Sequence, residues 1–288
     1  MIVIDSTKCT QCGLCFEVCP NYVLALSEDQ EIQVKYPGQC CVCGHCVAIC
    51  PENALIHQEI PAEKFEDLPI IKISPESMRI LLLSRRSIRA FKEKSVPKEL
   101  IEQLIEVGIH AGTSSNGQTE NLVVIQDRKL LSELEKMVIE VLWNKGMKYL
   151  GSEIGQKLAK TKLGNEMLRQ VIPYHHIIRN RRQNNELAGM VFRNAPVVMV
   201  IHGLRTNFMA HANCSIAVRN MEIMAKTMGL GTCWAGFLSV AAHLAKRKIE
   251  TYLEIPDDHS IYGAMMVGYP KFEYRKIIPR REREVRWI

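Results

Sequence analysis

The chain has 288 residues, 47% hydrophobic and 24% charged, a composition that excludes a disordered or fibrous protein and allows one large domain or two unequal ones. No apolar run approaches the roughly 18 residues of a membrane helix, and Met1-Ile2-Val3-Ile4-Asp5 lacks the basic start and apolar stretch of a secretory leader. A soluble cytoplasmic protein with no membrane partner is therefore expected. Charge and cysteine are unevenly spread: residues 1–60 carry two basic and seven acidic side chains, net −5, and the remainder 35 and 24, net +11. Nine of the eleven cysteines precede residue 51. In a reducing compartment so many thiols point to metal or redox chemistry rather than disulfides.

The first sixty residues contain an internal repeat. Cys9-Thr-Gln-Cys12-Gly-Leu-Cys15-Phe-Glu-Val-Cys19-Pro20 recurs 31 residues later as Cys40-Cys-Val-Cys43-Gly-His-Cys46-Val-Ala-Ile-Cys50-Pro51. Structural zinc also takes four thiolates, but as two CxxC pairs across a long spacer, which a tight quartet closed by proline does not match. The repeated C-x2-C-x2-C-x3-C-P run resembles the bacterial two-cluster [4Fe-4S] ferredoxins over residues 1–58. That resemblance implies crossed ligand sets, Cys9, Cys12, Cys15 and Cys50 for one cluster and Cys40, Cys43, Cys46 and Cys19 for the other. Cys41 has no place in either quartet and reads as a small buried residue. Ile2-Val3-Ile4 and Ala54-Leu55-Ile56 read as short strands pairing the ends of a unit too small to fold without its metal staples.

Residues 59–73, with Pro61 and Pro69 and weak periodicity, read as a linker to a second domain over 74–288. Ser74-Pro75 reads as an N-cap with proline at the first helical position, and Met78, Leu81 and Leu82 are expected to supply the buried stripe of that helix. It ends in Ser84-Arg85-Arg86-Ser87-Ile88-Arg89-Ala90-Phe91. These arginines could simply complement a helix C-terminus, but an extended exit would put Arg85, Ser87 and Arg89 on one side, facing a phosphate. A second helix is expected over 97–109, then a loop rich in small and hydrogen-bonding residues, Ala111-Gly-Thr-Ser-Ser-Asn-Gly-Gln118. Strand (122–126), a long helical stretch, strand (196–202) and helix (211–228) follow. Gly229-Leu-Gly231-Thr-Cys-Trp-Ala-Gly236 permits close backbone approach to a flat ligand; a helix to about 253, a strand over 261–267 and a basic tail complete the chain. This alternation predicts a mixed sheet covered by helices.

Four of these segments, Ser-Arg-Arg-Ser-Ile-Arg-Ala-Phe, Thr-Ser-Ser-Asn-Gly-Gln, Gly-Leu-Gly-Thr-Cys-Trp-Ala-Gly and Val-Gly-Tyr-Pro before an arginine pair, resemble the FMN-dependent nitroreductase family in order and spacing from about residue 75 to the end. The whole chain is similar to fusions of a two-cluster ferredoxin with a nitroreductase domain. The resemblance implies an α+β fold and a homodimer with FMN bound at the subunit interface. Arg85, Arg86, Ser87 and Arg89 would contact the phosphate, the ribityl chain and the N1/O2 edge. Asn116 and Gln118 would address the ring, and Ser114 and Ser115 the FMN of the partner subunit. Backbone around Trp234, Ala235 and Gly236 would line the N5 side, and Arg280 with Arg281 would return to the phosphate. The sequence departs from the family at Gly112, Thr119-Glu120 and Ala235, where proline, Pro-Trp and, in some members, glutamate stand.

The expected activity is an FMN oxidoreductase that couples one-electron transfer through two [4Fe-4S] clusters to two-electron reduction of a nitro, quinone or activated-alkene acceptor. Flavin N5 would carry the chemistry, with no catalytic side chain assigned. A reduced ferredoxin-type protein or NAD(P)H would be the donor. The alternative is a non-enzymatic relay or redox sensor in which FMN only passes electrons on. Residues 127–190 would cover the substrate, with Tyr174, His175 and His176 as candidates to face it, although packing or solvent roles are commoner for such residues. Cys214 and Cys233 read as core thiols, and no aromatic-basic interleaving supports a nucleic-acid partner.

Overall fold

Short apolar triplets between cysteine loops make the strands at the start of the chain in the computed structural model, which describes residues 1–288 apart from Lys246 and the side chains of Lys162, Leu163, Met167 and Gln170. Strand β1 (Ile2–Ile4) pairs antiparallel with β4 (Leu55–His57), and β2 (Leu24–Leu26) with β3 (Ile32–Val34). Between them lie two four-residue helices, α1 (Leu14–Glu17) and α2 (His45–Ala48), each entered through a left-handed glycine, Gly13 or Gly44. The repeat extends to the backbone. Gln11, Gly13 and Tyr22 have φ of 57°, 80° and 54°, and their counterparts 31 residues on, Val42, Gly44 and Asn53, have 54°, 72° and 49°. For β-branched Val42 such a conformation is strained, at a cost on the order of 1–3 kcal/mol. Ile2, Val23, Leu24, Ile32 and Leu55 form a small core with Cys15 and Cys46. Residues 1–73 and 113–118 make up this compact unit; the expected linker therefore belongs to it and holds one 3-10 turn, Ala62–Lys64.

The second unit comprises residues 74–112 and 119–288. Its sheet has the order β5 (Asn121–Ile125), β6 (Val197–Leu204), β8 (His259–Gly268), β7 (Gly231–Trp234), and all three pairings are antiparallel. The parallel component of the mixed sheet is a single bridge, Ser87 to Thr232 at the β7 edge. Strand β7 falls in the glycine-rich stretch for which the sequence pattern gives no strand. Strand β6 is apolar on both faces because both are covered. Val198 and Val200 face a core with α5 (Arg128–Lys145) and α8 (Gly236–Leu244); Val197, Met199 and Ile201 face the other with α4 (Lys98–Ile109) and α7 (Ala210–Thr227). Helix α3 (Pro75–Ser84) is capped by Ser74, whose hydroxyl accepts from the Ser77 amide, but the buried stripe expected of it is not formed: Met78 and Leu81 are half-buried and Leu82 is exposed. Helix α6 (Glu153–Gln183) contains a break at Gly164, φ 74°, and Pro173; α9 (Lys248–Tyr252) precedes β8. None of the described helices is long and apolar enough to cross a membrane.

Two buried polar groups fix this unit. The Glu135 carboxylate in α5 accepts from the amides of Gly189 (2.8 Å), Val191 (2.5 Å) and Phe192 (3.1 Å), tying the segment that enters β6. Removing it strands three amides. Glu135→Ala should lower unfolding free energy by about 2–4 kcal/mol in urea titrations, with Glu135→Gln costing less. On β6 and β8, the Nδ1 atoms of His202 and His259 lie 2.9 Å apart. Burial, then the neighbouring His259, pushes the His202 imidazole below its ordinary 6.5, against the pull of Glu250. As pH falls below that ordinary value the unfolded imidazole takes up a proton that the folded one refuses, so this stability is present above about 6.5 and is lost on acidification. The urea midpoint should fall from pH 7.5 to 5.5, and His202→Gln should flatten the fall; an unaltered slope would clear the pair of any part in it.

Candidate functional site: two thiol-lined cavities and a sheet-edge cleft

The cysteines of the first unit sort into two cavities. Cys9, Cys12, Cys15 and Cys50 line one cavity; Cys19, Cys40, Cys43 and Cys46, with Cys41, line another. Each cavity thus takes three thiols from one repeat and one from the other. Burial pushes the Cys15 thiol up, with further contributions from Cys50 and Cys9; burial pushes Cys46 up to about 11, aided by Cys43, Cys19 and Cys40. Four thiolates so gathered repel one another unless a cationic centre lies among them. Among the described residues no three ligating side chains converge as the ligands of one ion would; the thiols ring a space instead. A donor set of four sulfurs around such a space fits a polynuclear iron–sulfur centre.

Backbone amides point at two of the sulfurs: Val23 N–H donates to Cys19 Sγ and Ala54 N–H to Cys50 Sγ, both at 3.3 Å. His57, 2% exposed, places Nε2 3.4 Å from Cys40 Sγ. Sequence reasoning missed this histidine; its signal is the departure from the repeat, which has Leu26 at the matching position.

The second unit brings together two of the segments singled out in sequence. Leaving α3, the chain runs along β7: Ile88 N–H donates to Thr232 O at 2.8 Å, and Phe91 bridges to Pro270. Gly231 permits this approach, since a Cβ there would lie 2.5 Å from Ile88 Cγ1. Ser87 and Arg89 meet the start of the Cys233–Gly236 turn. Burial pushes the Cys233 thiol up, whereas the Arg89 guanidinium and a Ser87 hydrogen bond pull it back. Ala235 N–H is used by Ala264 O at 2.8 Å, and α8 begins at Gly236, where the leading amides of a helix lack internal partners.

The other arginines are differently employed. Arg85 pairs with buried Glu222 at 3.2 Å. Arg86 turns back to the Leu83 and Arg85 carbonyls, both at 2.7 Å, and to Lys276 O at 3.3 Å; its Nε is buried and has no partner among the described residues. The helix-end role is therefore the one Arg86 fills, because its fork reaches the last carbonyls of α3. Arg85 and Arg86 also line a cleft of ≈ 290 Å³ with Lys92, Lys226, Tyr269 and Tyr274. Arg280 and Arg281 stand in the exposed tail beyond Lys276.

Residues 113–118 pack with the first unit. Ser115, Asn116 and Gln118 have φ of 51°, 54° and 46°, and Ser114 begins a 3-10 turn ending at Asn116. The Asn116 amide donates to Cys41 O at 3.1 Å and Val42 O at 3.0 Å, so it serves a cysteine loop.

Of the three candidates in α6, Tyr174 lines a cavity of ≈ 410 Å³ with Ile177, Asn180, Arg181, Met190, Arg193 and Phe237. Its ring meets Phe237 edge-on at 4.9 Å, and Phe237 directly follows Gly236. His175 instead packs: it is buried, stacks on Trp143 at 5.5 Å and donates from Nδ1 to Met147 O at 2.6 Å. His176 meets the His175 ring edge-on at 5.2 Å. Nothing in the local sequence marked Arg193 or Phe237, which reach this cavity only through tertiary packing.

Comparison with known proteins follows this division. Residues 82–269 match the model of the nitroreductase family and residues 1–51 that of the 4Fe-4S dicluster domain. A protein of Archaeoglobus fulgidus, named as a candidate NADH dehydrogenase/NAD(P)H nitroreductase, is 19% identical over 67% of this chain and 85% of its own length. The fold is similar to that of an FMN-dependent nitroreductase from Clostridium difficile (TM-score 0.53, 19% identity, 74% of this chain and 100% of that one). It is also similar to that of a nitroreductase with bound FMN from Desulfitobacterium hafniense (TM-score 0.51, 18% identity, 73% and 98%). The chain belongs to the nitroreductase family and carries a 4Fe-4S dicluster domain ahead of its nitroreductase domain.

Proposed function

We propose that the protein is an FMN oxidoreductase in which two [4Fe-4S] clusters exchange single electrons with the flavin, and the flavin reduces a nitro, quinone or activated-alkene acceptor by two electrons. The observation that carries the reading is the sorting of eight thiols into two matched cavities ahead of a nitroreductase fold. Clusters pass one electron and FMN accepts one or two, so the flavin would supply the conversion between them.

This chain's residues would bind and orient. Ser87 and Arg89, beside β7, suit the polar flank of the flavin, and a cation there would stabilise negative charge on the reduced ring. Arg86, with an unpartnered buried Nε, and Arg280 and Arg281, in the exposed tail, would serve the phosphate. Trp234, Ala235 and Gly236 would line the N5 side. The Ala235 amide is already used by Ala264, which leaves the first amides of α8 to face the ring. Tyr174 and Phe237 offer aromatic surface to an acceptor, while Arg181 and Arg193 offer charge to its polar group. Domains of 1–58 and 74–288 joined by 59–73 remain the functional division we favour. A homodimer is supported by α3, which has no buried residue although Ile80, Leu82 and Leu83 are apolar. The donor would be a reduced ferredoxin-type protein or NAD(P)H.

Protein purified without oxygen should contain about eight irons and one FMN per chain and sediment as a dimer. Arg89→Gln should weaken FMN binding about 10- to 100-fold, the loss of one charge-assisted contact, without altering iron content. Arg193→Gln should raise KM for a nitroaromatic acid more than for the neutral parent compound. Full cofactor loading with no consumption of nitroaromatics, quinones or enones would replace the enzyme reading with that of a relay.

A further inference from the structure

Superposing the two repeats by their 31-residue offset pairs the linings of the two cavities, and they differ at four chemically consequential places, one of them Thr10, whose counterpart is Cys41. Leu14 and Glu52 line the cavity of Cys9, Cys12, Cys15 and Cys50; their counterparts His45 and Asn21 line the cavity of Cys40, Cys43, Cys46 and Cys19. The fourth difference is His57, which lines the second cavity, whereas its counterpart in the repeat, Leu26, does not line the first. The amide-to-sulfur bonds, by contrast, are matched: Ala54 to Cys50 for one cavity and Val23 to Cys19 for the other, both 3.3 Å.

The hydrogen-bonding role of His57 follows from its other nitrogen. Glu59 N–H donates to His57 Nδ1 at 3.2 Å, so Nδ1 is an acceptor and the proton of the neutral ring sits on Nε2. Nε2–H therefore donates to Cys40 Sγ at 3.4 Å, in a site where the imidazole is buried and the bond is weakly screened. A donor to a ligand sulfur stabilises the reduced, more negative cluster more than the oxidised one, and a carboxylate beside a cluster does the reverse.

Resting on the reading that both cavities hold four-iron clusters, we propose that His57 and Glu52 make the two clusters unequal, so that a lone electron settles on the cluster of Cys40, Cys43, Cys46 and Cys19. In that step one electron leaves the first cluster, which is oxidised, and enters the second, which is reduced; no bond changes and no proton moves. The second cluster is thus the holding point of the unit. His57 is a tuning residue, acting through Cys40 rather than on any substrate.

The test is an anaerobic potentiometric titration of the full, cluster-loaded chain followed by EPR. Two one-electron steps are expected. His57→Leu should lower the higher step, shifting the distribution between the clusters at least tenfold, which is about 59 mV for one electron, and leave the lower step in place. Glu52→Gln should raise the lower step by a smaller amount, since this carboxylate is exposed to water. Pulsed EPR of the unsubstituted chain, labelled with ¹⁵N-histidine and reduced by less than one electron, needs no variant to fold: nitrogen coupling to the first centre formed is expected, and its absence would overturn the proposal. Eight irons with midpoints indifferent to both substitutions would also overturn it while leaving the cluster reading intact. A chain that takes up no iron would end both.

Discussion

The burial of Cys15 and Cys46 beside other thiols is the constraint on which the first half of this protein depends. Folding carries Cys15 and Cys46 into places where burial and neighbouring thiols resist ionisation, yet iron is bound by the ionised form. Such a site is unfavourable as a bare protein and favourable around a cationic centre, so binding and folding become one process. The backbone adds to the cost, since Val42 occupies a left-handed conformation that its branched side chain resists. A core of a few residues around Leu24 and Leu55 offers little to offset either term.

The second unit follows an opposite logic. Its sheet is held by ordinary burial on both faces, and at the β7 edge Gly231 admits the chain leaving α3. One contact therefore aligns two distant pieces of sequence, Ser87–Arg89 and Thr232–Gly236. Polar groups elsewhere hold the frame: Glu222 engages Arg85, and Glu135 organises the approach to β6. Glu222 also draws on Arg85 as a partner, so this arginine has a structural duty beside any role toward phosphate.

Much of this was legible in sequence because the signals were local. The cysteine quartets carry their spacing with them, the strands at 121–125, 197–204 and 259–268 are apolar runs, and Ser74 caps the helix it precedes. What escaped depended on tertiary partners. Strand β7 is short and glycine-bounded, so its pattern is that of a loop until β8 and Ile88 lie beside it. Arg86 looks the same in sequence whether it caps α3 or faces a ligand. His175 and Tyr174 are adjacent, yet the helix turns one into the core against Trp143 and the other toward Phe237. Only His57 was within reach, as the polar residue that breaks an otherwise apolar match between repeats.

The crossing of thiols between the repeats has an implication for ancestry. Because Cys50 completes the set of Cys9, Cys12 and Cys15 while Cys19 completes that of Cys40, Cys43 and Cys46, neither half is self-sufficient. A single ancestral half of about thirty residues could have filled its quota only by borrowing from a twin molecule. Gene fusion would then have made that loan permanent, after which the halves were free to differ wherever the shared sulfurs, the glycine turns and the amide-to-sulfur bonds allow.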